Sequence, residues 1–360
     1  MNGFDGTEFM GQTVKPPDNP SVMGRGAPRG LRISRLQRAL GALASLKLTL
    51  AILAALGGGT MVAYLSEART TWALVLPLAA FSVNLAAAVA TNPVFRRQTA
   101  LLMFHLALIA IVLLIAVGRL TYLKGQLELA QGQVFDGQLT QEESGPWHPR
   151  RLDAVRFSNQ GFTIGYAKGM RRAATRNQVA WTAPDGRPRQ AVIGDQDPLI
   201  LEGYRFYTNF NKGFAPVFVW RPRSGASPQL GAVHLPAYPL HEYRQAQEWQ
   251  PPGSRSPLWI MLRFDEVILD PEKPSEFRLP TEHRLVVRAG EARRELKPGD
   301  AMHLAEGVLV YQGLRSWMGY TVFYDFTLPW LLAACILAVA SLAWHFWRKF
   351  SARPWNPPVS

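Results

Sequence analysis

QTALLMFHLALIAIVLLIAVG, residues 98–118, runs for 21 positions without a formal charge, opened by Arg96 and Arg97 and closed by Arg119. At about 1.5 Å rise per residue, a helix of that length crosses the roughly 30 Å hydrocarbon core of a bilayer. One ionisable ring lies inside it: His105, eight positions after Arg97. Such a group is costly at that depth, so it marks a functional site or a side chain satisfied by another helix.

Working outward, three more charge-free runs occupy residues 48–66, 70–95 and 326–347. Spans are therefore predicted over 48–66, 72–93, 98–118 and 326–347. Between the third and fourth lies a polar stretch, 120–325, long enough to enclose its own core. The predicted fold class is a membrane protein: an α-helical bundle of four transmembrane helices plus a large extracytoplasmic mainly-β domain, a sandwich or open barrel.

Orientation follows from the basic residues that flank the spans. Seven precede the first span (Lys15, Arg25, Arg29, Arg32, Arg35, Arg38 and Lys47), Arg96 and Arg97 join the second to the third, and Arg348, Lys349 and Arg353 follow the last. This places both termini in the cytoplasm and residues 120–325 outside, with Arg119 the one dissent. Net charge is +13, yet the 120–325 stretch holds 25 Lys/Arg against 22 Asp/Glu and contributes only +3 of it. The remaining +10 sits on the cytoplasmic flanks and helix ends, where it sets topology and attracts anionic lipid. That pattern serves a bilayer, and no nucleic-acid partner is predicted. The single cysteine, Cys335, falls inside the fourth span, which excludes a disulfide framework, a CxxC pair and a CxxCH haem attachment.

Taken in order, residues 1–30 read as a disordered cytoplasmic leader rich in Gly and Pro. Residues 31–47 read as a basic amphipathic helix, with Leu36, Leu40 and Leu43 at helical spacing, or as a plain basic flank. Gly57-Gly58-Gly59 in the first span is a helix-packing site. Asn84 in the second span and His105 in the third both fall about 12 Å below the same interface. The Asn84 carboxamide can thus reach the second nitrogen of His105 and fix its tautomer, or each has its own partner. The third helix is predicted to continue to about Gln126. Beyond it, strands are predicted at 162–166, 179–181, 199–207, 216–220, 258–262 and 285–287, with a helical insertion at 240–249. Turns are predicted at Pro184-Asp185-Gly186, Lys212-Gly213, Pro251-Pro252-Gly253, Ala289-Gly290-Glu291 and Pro298-Gly299-Asp300.

Catalytic signatures are absent: no GxSxG, P-loop, dinucleotide fingerprint or HExxH occurs. His148, His234, His241, His283 and His303 are scattered, and His234 with His241 and Glu242 is the nearest thing to a cluster. His345, beside Trp344 and Trp347, belongs to an aromatic belt at the inner interface rather than to a deep site.

These stretches resemble the ResB family of cytochrome c biogenesis proteins, the smaller partner in system II haem attachment. The likeness rests on LASLKLTLAIL in the first span, Asn84-Leu85 in the second, and FHLALIAIVLLIAVGRL in the third. LELAQGQVFDG, LEGYRFYTNFNKGFAPVFVW and MGYTVFYDFTLPWLL extend it to the last span. The sequence departs from the family where Asp325 is followed by Phe326-Thr327 instead of Pro-Gly, and its outer domain is short. The resemblance implies haem as cofactor, with His105 as an axial ligand to the iron; Asn84, by its depth, is the candidate residue supporting that ring. It implies a CcsA/ResC-type membrane protein and apocytochrome c as partners, in a bacterial inner membrane with the large domain periplasmic. The chain would then be a non-catalytic subunit of a cytochrome c synthetase. The residues alone leave two other readings open: a membrane-anchored β scaffold without haem, and a haem b electron carrier, which normally needs two deep histidines.

The topology is directly testable. Reporter fusions placed after Lys349 and within residues 251–253 are expected to report opposite sides of the membrane; one side for both would overturn the orientation.

Overall fold

The computed structural model describes residues 35–66, 70–240 and 244–351, with side chains from residue 38 onward. The leader, the start of the 31–47 segment, the first connection, His241, Glu242 and the tail after 351 lie outside the described residues. Six helices are seen: α1 (Arg35–Leu43), α2 (Leu46–Leu65), α3 (Thr71–Thr91), α4 (Val94–Arg97), α5 (Thr99–Thr121) and α6 (Leu328–Ser351). Four of them, α2, α3, α5 and α6, are long and apolar enough to cross a membrane.

The bundle packs in a row, α2 on α3, α3 on α5 and α5 on α6, with α1 against α3. Most of the residues its contacts bury are small, among them Gly59, Ala87, Ala100, Ala107, Ala116, Gly118, Ala334, Ala338 and Ser341, beside Ile52, Val75, Leu78 and Leu120. Large side chains such as Leu50, Leu76, Leu106, Leu332 and Val339 point outward. This inversion of a soluble core is what lipid demands, because helices there gain from close backbone approach and not from hiding leucine. Within the glycine triplet only the third packs. A Cβ on Gly59 would lie 2.2 Å from the Ala73 carbonyl oxygen, whereas Gly57 and Gly58 face open space.

The described residues form fifteen strands in three antiparallel sheets, none closed on itself. The helix predicted to reach Gln126 ends at Thr121; after Tyr122 the chain is already strand β1 (Leu123–Ala130). Alternating burial along LKGQLELA explains the switch, since a period of two fits a strand and not a helix. β1 pairs with β15 (Gly307–Tyr324) from Leu123↔Tyr324 to Ala130↔Trp317. β15 in turn pairs along nearly its whole length with β7 (Tyr204–Pro222). These strands form the centre of the first sheet, ordered β2-β1-β15-β7-β6, with β2 (Gln141–Ser144) and β6 (Leu199–Leu201) at its edges. β8 (Gln229–Ala232) adds to β7 and β14 (Ala301–Leu304) to β15.

The second sheet runs β13-β12-β10-β9, from β9 (Ala246–Trp249), β10 (Leu258–Arg263), β12 (Arg284–Ala289) and β13 (Ala292–Leu296). β9 replaces part of the predicted helical insertion at 240–249: Ala246–Trp249 finds a ladder on β10. The third sheet runs β11-β3-β4-β5, from β3 (Ser158–Ala167), β4 (Arg171–Thr182), β5 (Pro188–Ile193) and β11 (Ser275–Glu276).

Two cores result. The one nearest the helices gathers Leu123, Leu127, Phe157, Tyr204, Phe206, Tyr320 and Val322; the distal one gathers Phe218, Trp220, Leu258, Ile260, Leu285, Leu309 and Tyr311. A buried polar chain stitches the near core together. Tyr320 Oη donates to Asn177 Oδ1 (2.9 Å), Asn177 Nδ2 to Asn159 Oδ1 (2.8 Å), and Asn159 Nδ2 to the Leu129 carbonyl (2.9 Å). All three side chains are fully buried, so each bond spares an amide or hydroxyl the cost of desolvation without a partner.

Lys212-Gly213, predicted as a turn, lies inside β7. The turn-like signal belongs to a bulge, where Asn209, Phe210 and Asn211 bulge out opposite Gly319 between the pairs Lys212↔Met318 and Thr208↔Tyr320. Lys212 is 2% exposed and its ammonium donates to the Asn209 and Phe210 carbonyls at 3.3 and 3.2 Å. Burial, helped by the nearby Arg172 charge and opposed by Asp195, pushes its pKa down to about 8.

The helix packing makes an ordered prediction. Gly59→Ala is expected to lower the thermal unfolding midpoint of the purified full chain, because α3 backbone must move away. Gly57→Ala and Gly58→Ala are expected to leave it unchanged or raise it slightly, since alanine is about 1 kcal/mol better than glycine inside a helix. Equal effects at all three positions would show that the α2–α3 contact does not run through Gly59.

Candidate functional site

His105 sits on α5 and is half-buried. Its Nδ1 lies 2.8 Å from the Leu101 carbonyl oxygen one turn earlier. A carbonyl only accepts, so Nδ1 carries the proton and Nε2 of the neutral ring keeps its lone pair. No hydrogen bond to Nε2 is formed among the described residues. The ring is flanked by two aromatic side chains, Phe95 from α4 at 4.5 Å between centroids and Phe104 at 5.3 Å. Phe95 is itself buried, so the short α4 between the second and third spans fixes one wall of the histidine. An imidazole with one nitrogen tied back and the other free, in an apolar and aromatic setting, is suited to ligate a metal carried by a flat apolar group.

Asn84 is not part of that setting. It is 3% exposed, and its carboxamide is committed to the other side of α3. Thr49 Oγ1 donates to Asn84 Oδ1 (2.8 Å), while Asn84 Nδ2 donates to the Leu43 carbonyl (2.5 Å) and, more distantly, to that of Ser45 (3.5 Å). Of the two arrangements the sequence left open, the one in which each residue has its own partner is seen, and Asn84 makes no bond to His105. α1 ends at Leu43 and α2 starts at Leu46, so this break leaves the Leu43 carbonyl without an intrahelical donor, while that of Ser45 already accepts the Thr49 amide at 3.1 Å. Asn84 satisfies the Leu43 carbonyl. Equal depth in two adjacent helices was the signal for the pairing, and depth alone does not fix the face.

At the other end of α5 the loop after β2 folds back over the last turn. The Gly145 and Trp147 amides donate to the carbonyls of Tyr122 (2.9 Å) and Leu120 (2.8 Å), and His148 Nδ1 to that of Thr121 (2.8 Å). His148 Nε2 is hydrogen-bonded to the Tyr204 hydroxyl at 2.7 Å, and Tyr204 Oη accepts the Arg151 amide at 3.2 Å. Burial raises the Tyr204 pKa above its ordinary value. Trp147 meets Trp72, at the start of α3, edge to face at 6.4 Å. Sequence reading left His148 among scattered histidines; the structure makes it a strut between α5 and β7.

The other histidines are also engaged or exposed. His234 Nδ1 donates to Glu128 Oε2 at 2.9 Å and its ring stacks on Trp317; His241 and Glu242 lie outside the described residues. His283 Nε2 is bonded to the Tyr311 hydroxyl at 2.8 Å, and burial holds its pKa below the usual value, with the nearby Pro280 carbonyl opposing. His303 is exposed on β14. His345 lies in the last turns of α6, far along the helix from any deep position, and packs edge-on to Phe346 at 5.4 Å.

Two comparisons bear on this arrangement. A family model described as the ResB-like family matches residues 66–351, the greater part of the chain. No curated protein matches it.

The reassignment of Asn84 gives a testable outcome. Asn84→Ala leaves the α1–α2 break unsatisfied and is expected to destabilise the purified chain by about 1–3 kcal/mol, read as a lower midpoint of thermal or denaturant unfolding. The environment of His105, followed by the NMR shifts of its labelled ring nitrogens, is expected to stay as in the wild type. A tautomer change at His105 with no loss of stability would restore the original pairing.

Proposed function

The chain belongs to the ResB-like family, which is associated with cytochrome c biogenesis, and on that premise we propose that it handles haem as cargo in a system II cytochrome c synthetase. In this reading it sits in a bacterial inner membrane with both termini cytoplasmic and the β domain periplasmic, as the flanking basic residues favour. It is the non-catalytic subunit: it receives haem between helices, holds it, and hands it toward apocytochrome c outside.

The observation that carries this is the free Nε2 of His105, set in a membrane-spanning helix with its other nitrogen bonded to Leu101. The residues fit a haem on one axial side. Phe95 and Phe104 supply aromatic walls, and the Leu101 bond fixes the ring so that Nε2 is presented without a competing proton. Haem brings its own iron chemistry, and this chain contributes orientation and one ligand. A second axial ligand is needed for six-coordinate iron. Among the described residues the other histidines lie in the β domain or in the last turns of α6, so we assign the second ligand to a CcsA/ResC-type membrane partner. The tight seam between α5 and β1 supports a handover role, because a movement of the helix is passed straight to the outer domain.

The test is the assembled complex with a CcsA-type partner, scored by haem absorbance and by matured cytochrome c. His105→Ala is expected to remove most of the haem and most of the maturation while membrane insertion is preserved, since the change makes the span more apolar. His105→Gly is expected to be partly rescued by added imidazole, which refills the ligand position. Wild-type haem and maturation in His105→Ala would sink the ligand assignment and leave a membrane-anchored scaffold as the function.

A further inference from the structure

On the face opposite the β domain, the ends of α4, α5 and α6 enclose a cavity of about 490 Å3 lined by Arg97, Gln98, Thr99, Ala100, His345, Arg348 and Lys349. Its lining carries three permanent cations and an imidazole but no carboxylate. None of the three cations makes an ion pair among the described residues. The local sequence offers none either: no Asp or Glu occurs between Glu67 and Glu128, or after Asp325. Three cations held around one hollow repel one another, and an anion in the hollow relieves that repulsion.

Two features add to the charge. Gln98, at the N-cap of α5, makes no side-chain capping bond, so the first turn of a 23-residue helix opens on the cavity with its amides uncapped. On α6, buried Ala334, Ala338 and Ser341 mark the stripe that meets α5. His345 falls one turn after Ser341 on that stripe, which turns the half-buried ring toward the seam. The buried Ser341 hydroxyl itself has no hydrogen-bond partner.

The surroundings indicate what sort of anion fits. Trp344 and Trp347 are exposed beside the cavity, at the level where tryptophan marks a membrane interface. Farther along α6, Leu337 is exposed on the stripe that continues through Trp344 to Arg348, at spacings of seven and eleven residues. A soluble anion would use only the hollow, whereas an amphiphile would use both. We propose that this cavity binds the phosphate headgroup of an anionic phospholipid whose acyl chains lie along α6, with a two-phosphate head bound more tightly than a one-phosphate head. Basic pockets between membrane helices are suited to such heads. The proposal rests on the membrane reading of the helices and is independent of the haem reading.

The experiment is native mass spectrometry of the purified full chain in detergent, titrated separately with cardiolipin, phosphatidylglycerol, phosphatidylcholine and inorganic phosphate. Cardiolipin is expected to give a one-to-one adduct, phosphatidylglycerol a weaker one and phosphatidylcholine the weakest. The triple variant Arg97→Gln, Arg348→Gln, Lys349→Gln is expected to lose cardiolipin affinity by roughly 100-fold, about fivefold per cation. Arg96→Gln removes one cation, as a single Arg348→Gln does, but lies outside the cavity, and is expected to bind as wild type. The single Arg348→Gln, with a fivefold loss expected, keeps the test open should the triple variant fold poorly. Unchanged binding in the Gln variants, an equal loss in Arg96→Gln, equal binding of phosphatidylcholine, or displacement of cardiolipin by millimolar inorganic phosphate would each overturn the proposal.

Discussion

The seam where α5 and α6 become β1 and β15 constrains everything above and below it. Two neighbouring helices leave the apolar layer and within a few residues are hydrogen-bonded to each other as strands, from Leu123↔Tyr324 onward. No flexible linker separates bundle from domain. Gly118 is part of the reason: a Cβ there would lie 3.0 Å from Thr327 Oγ1, at the start of α6. The Asp325 carboxylate accepts from the Thr327 amide and hydroxyl at 2.8 and 2.7 Å, which shapes the turn into α6 without the Pro-Gly usual in the family. A helix emerging from lipid must also have its last carbonyls satisfied. The loop carrying Gly145, Trp147 and His148 meets that demand, so the outer domain is bonded to the bundle by necessity as well as by covalent continuity.

Polar groups inside the bundle are few, and comparing them separates structure from chemistry. Asn84 uses both ends of its carboxamide to repair the break between α1 and α2. Ser82 and Thr91 bond back to the carbonyls of Leu78 and Ala87 on their own helix, at 3.0 and 2.8 Å. Each of these is explained by satisfaction alone. His105 is half satisfied, and the half left over is the better metal ligand of the two nitrogens.

The broad plan was legible in the sequence because lipid imposes length and charge rules that single runs reveal. Four spans and a β-rich domain of antiparallel sheets follow from apolar runs, turn residues and alternation, and the turns at Pro184–Gly186, Ala289–Glu291 and Pro298–Asp300 fall where turn chemistry put them. What escaped was anything that depends on two distant segments. β7, of 19 residues, looked like parts of two shorter strands, 199–207 and 216–220, because the bulge at 209–211 and the buried Lys212 interrupt the alternation that marks a strand. β9 looked helical because Ala246–Trp249 acquires its strand character from its partner β10. Whether Asn84 and His105 pair or each has its own partner stayed open because sequence gives depth along a helix but not the direction in which a side chain points.

The same distinction ranks the histidines. Their number and spacing say little, since seven are scattered along 360 residues. Their hydrogen bonds say more. His148 spends both nitrogens, one on Thr121 and one on Tyr204. His234 and His283 each spend one, and the nitrogen left over is enclosed without a partner or access. His303 and His345 lie where water or headgroups compete for them. His105 differs in position and in state together: it is in a membrane-spanning helix, its ring is oriented by Leu101, and its remaining nitrogen is neither bonded nor among the enclosed ones. A side chain kept in that condition raises the cost of the span and returns nothing to its stability. Function is what is left to account for it, and a ligand to a cargo that itself moves within the membrane fits a histidine placed there.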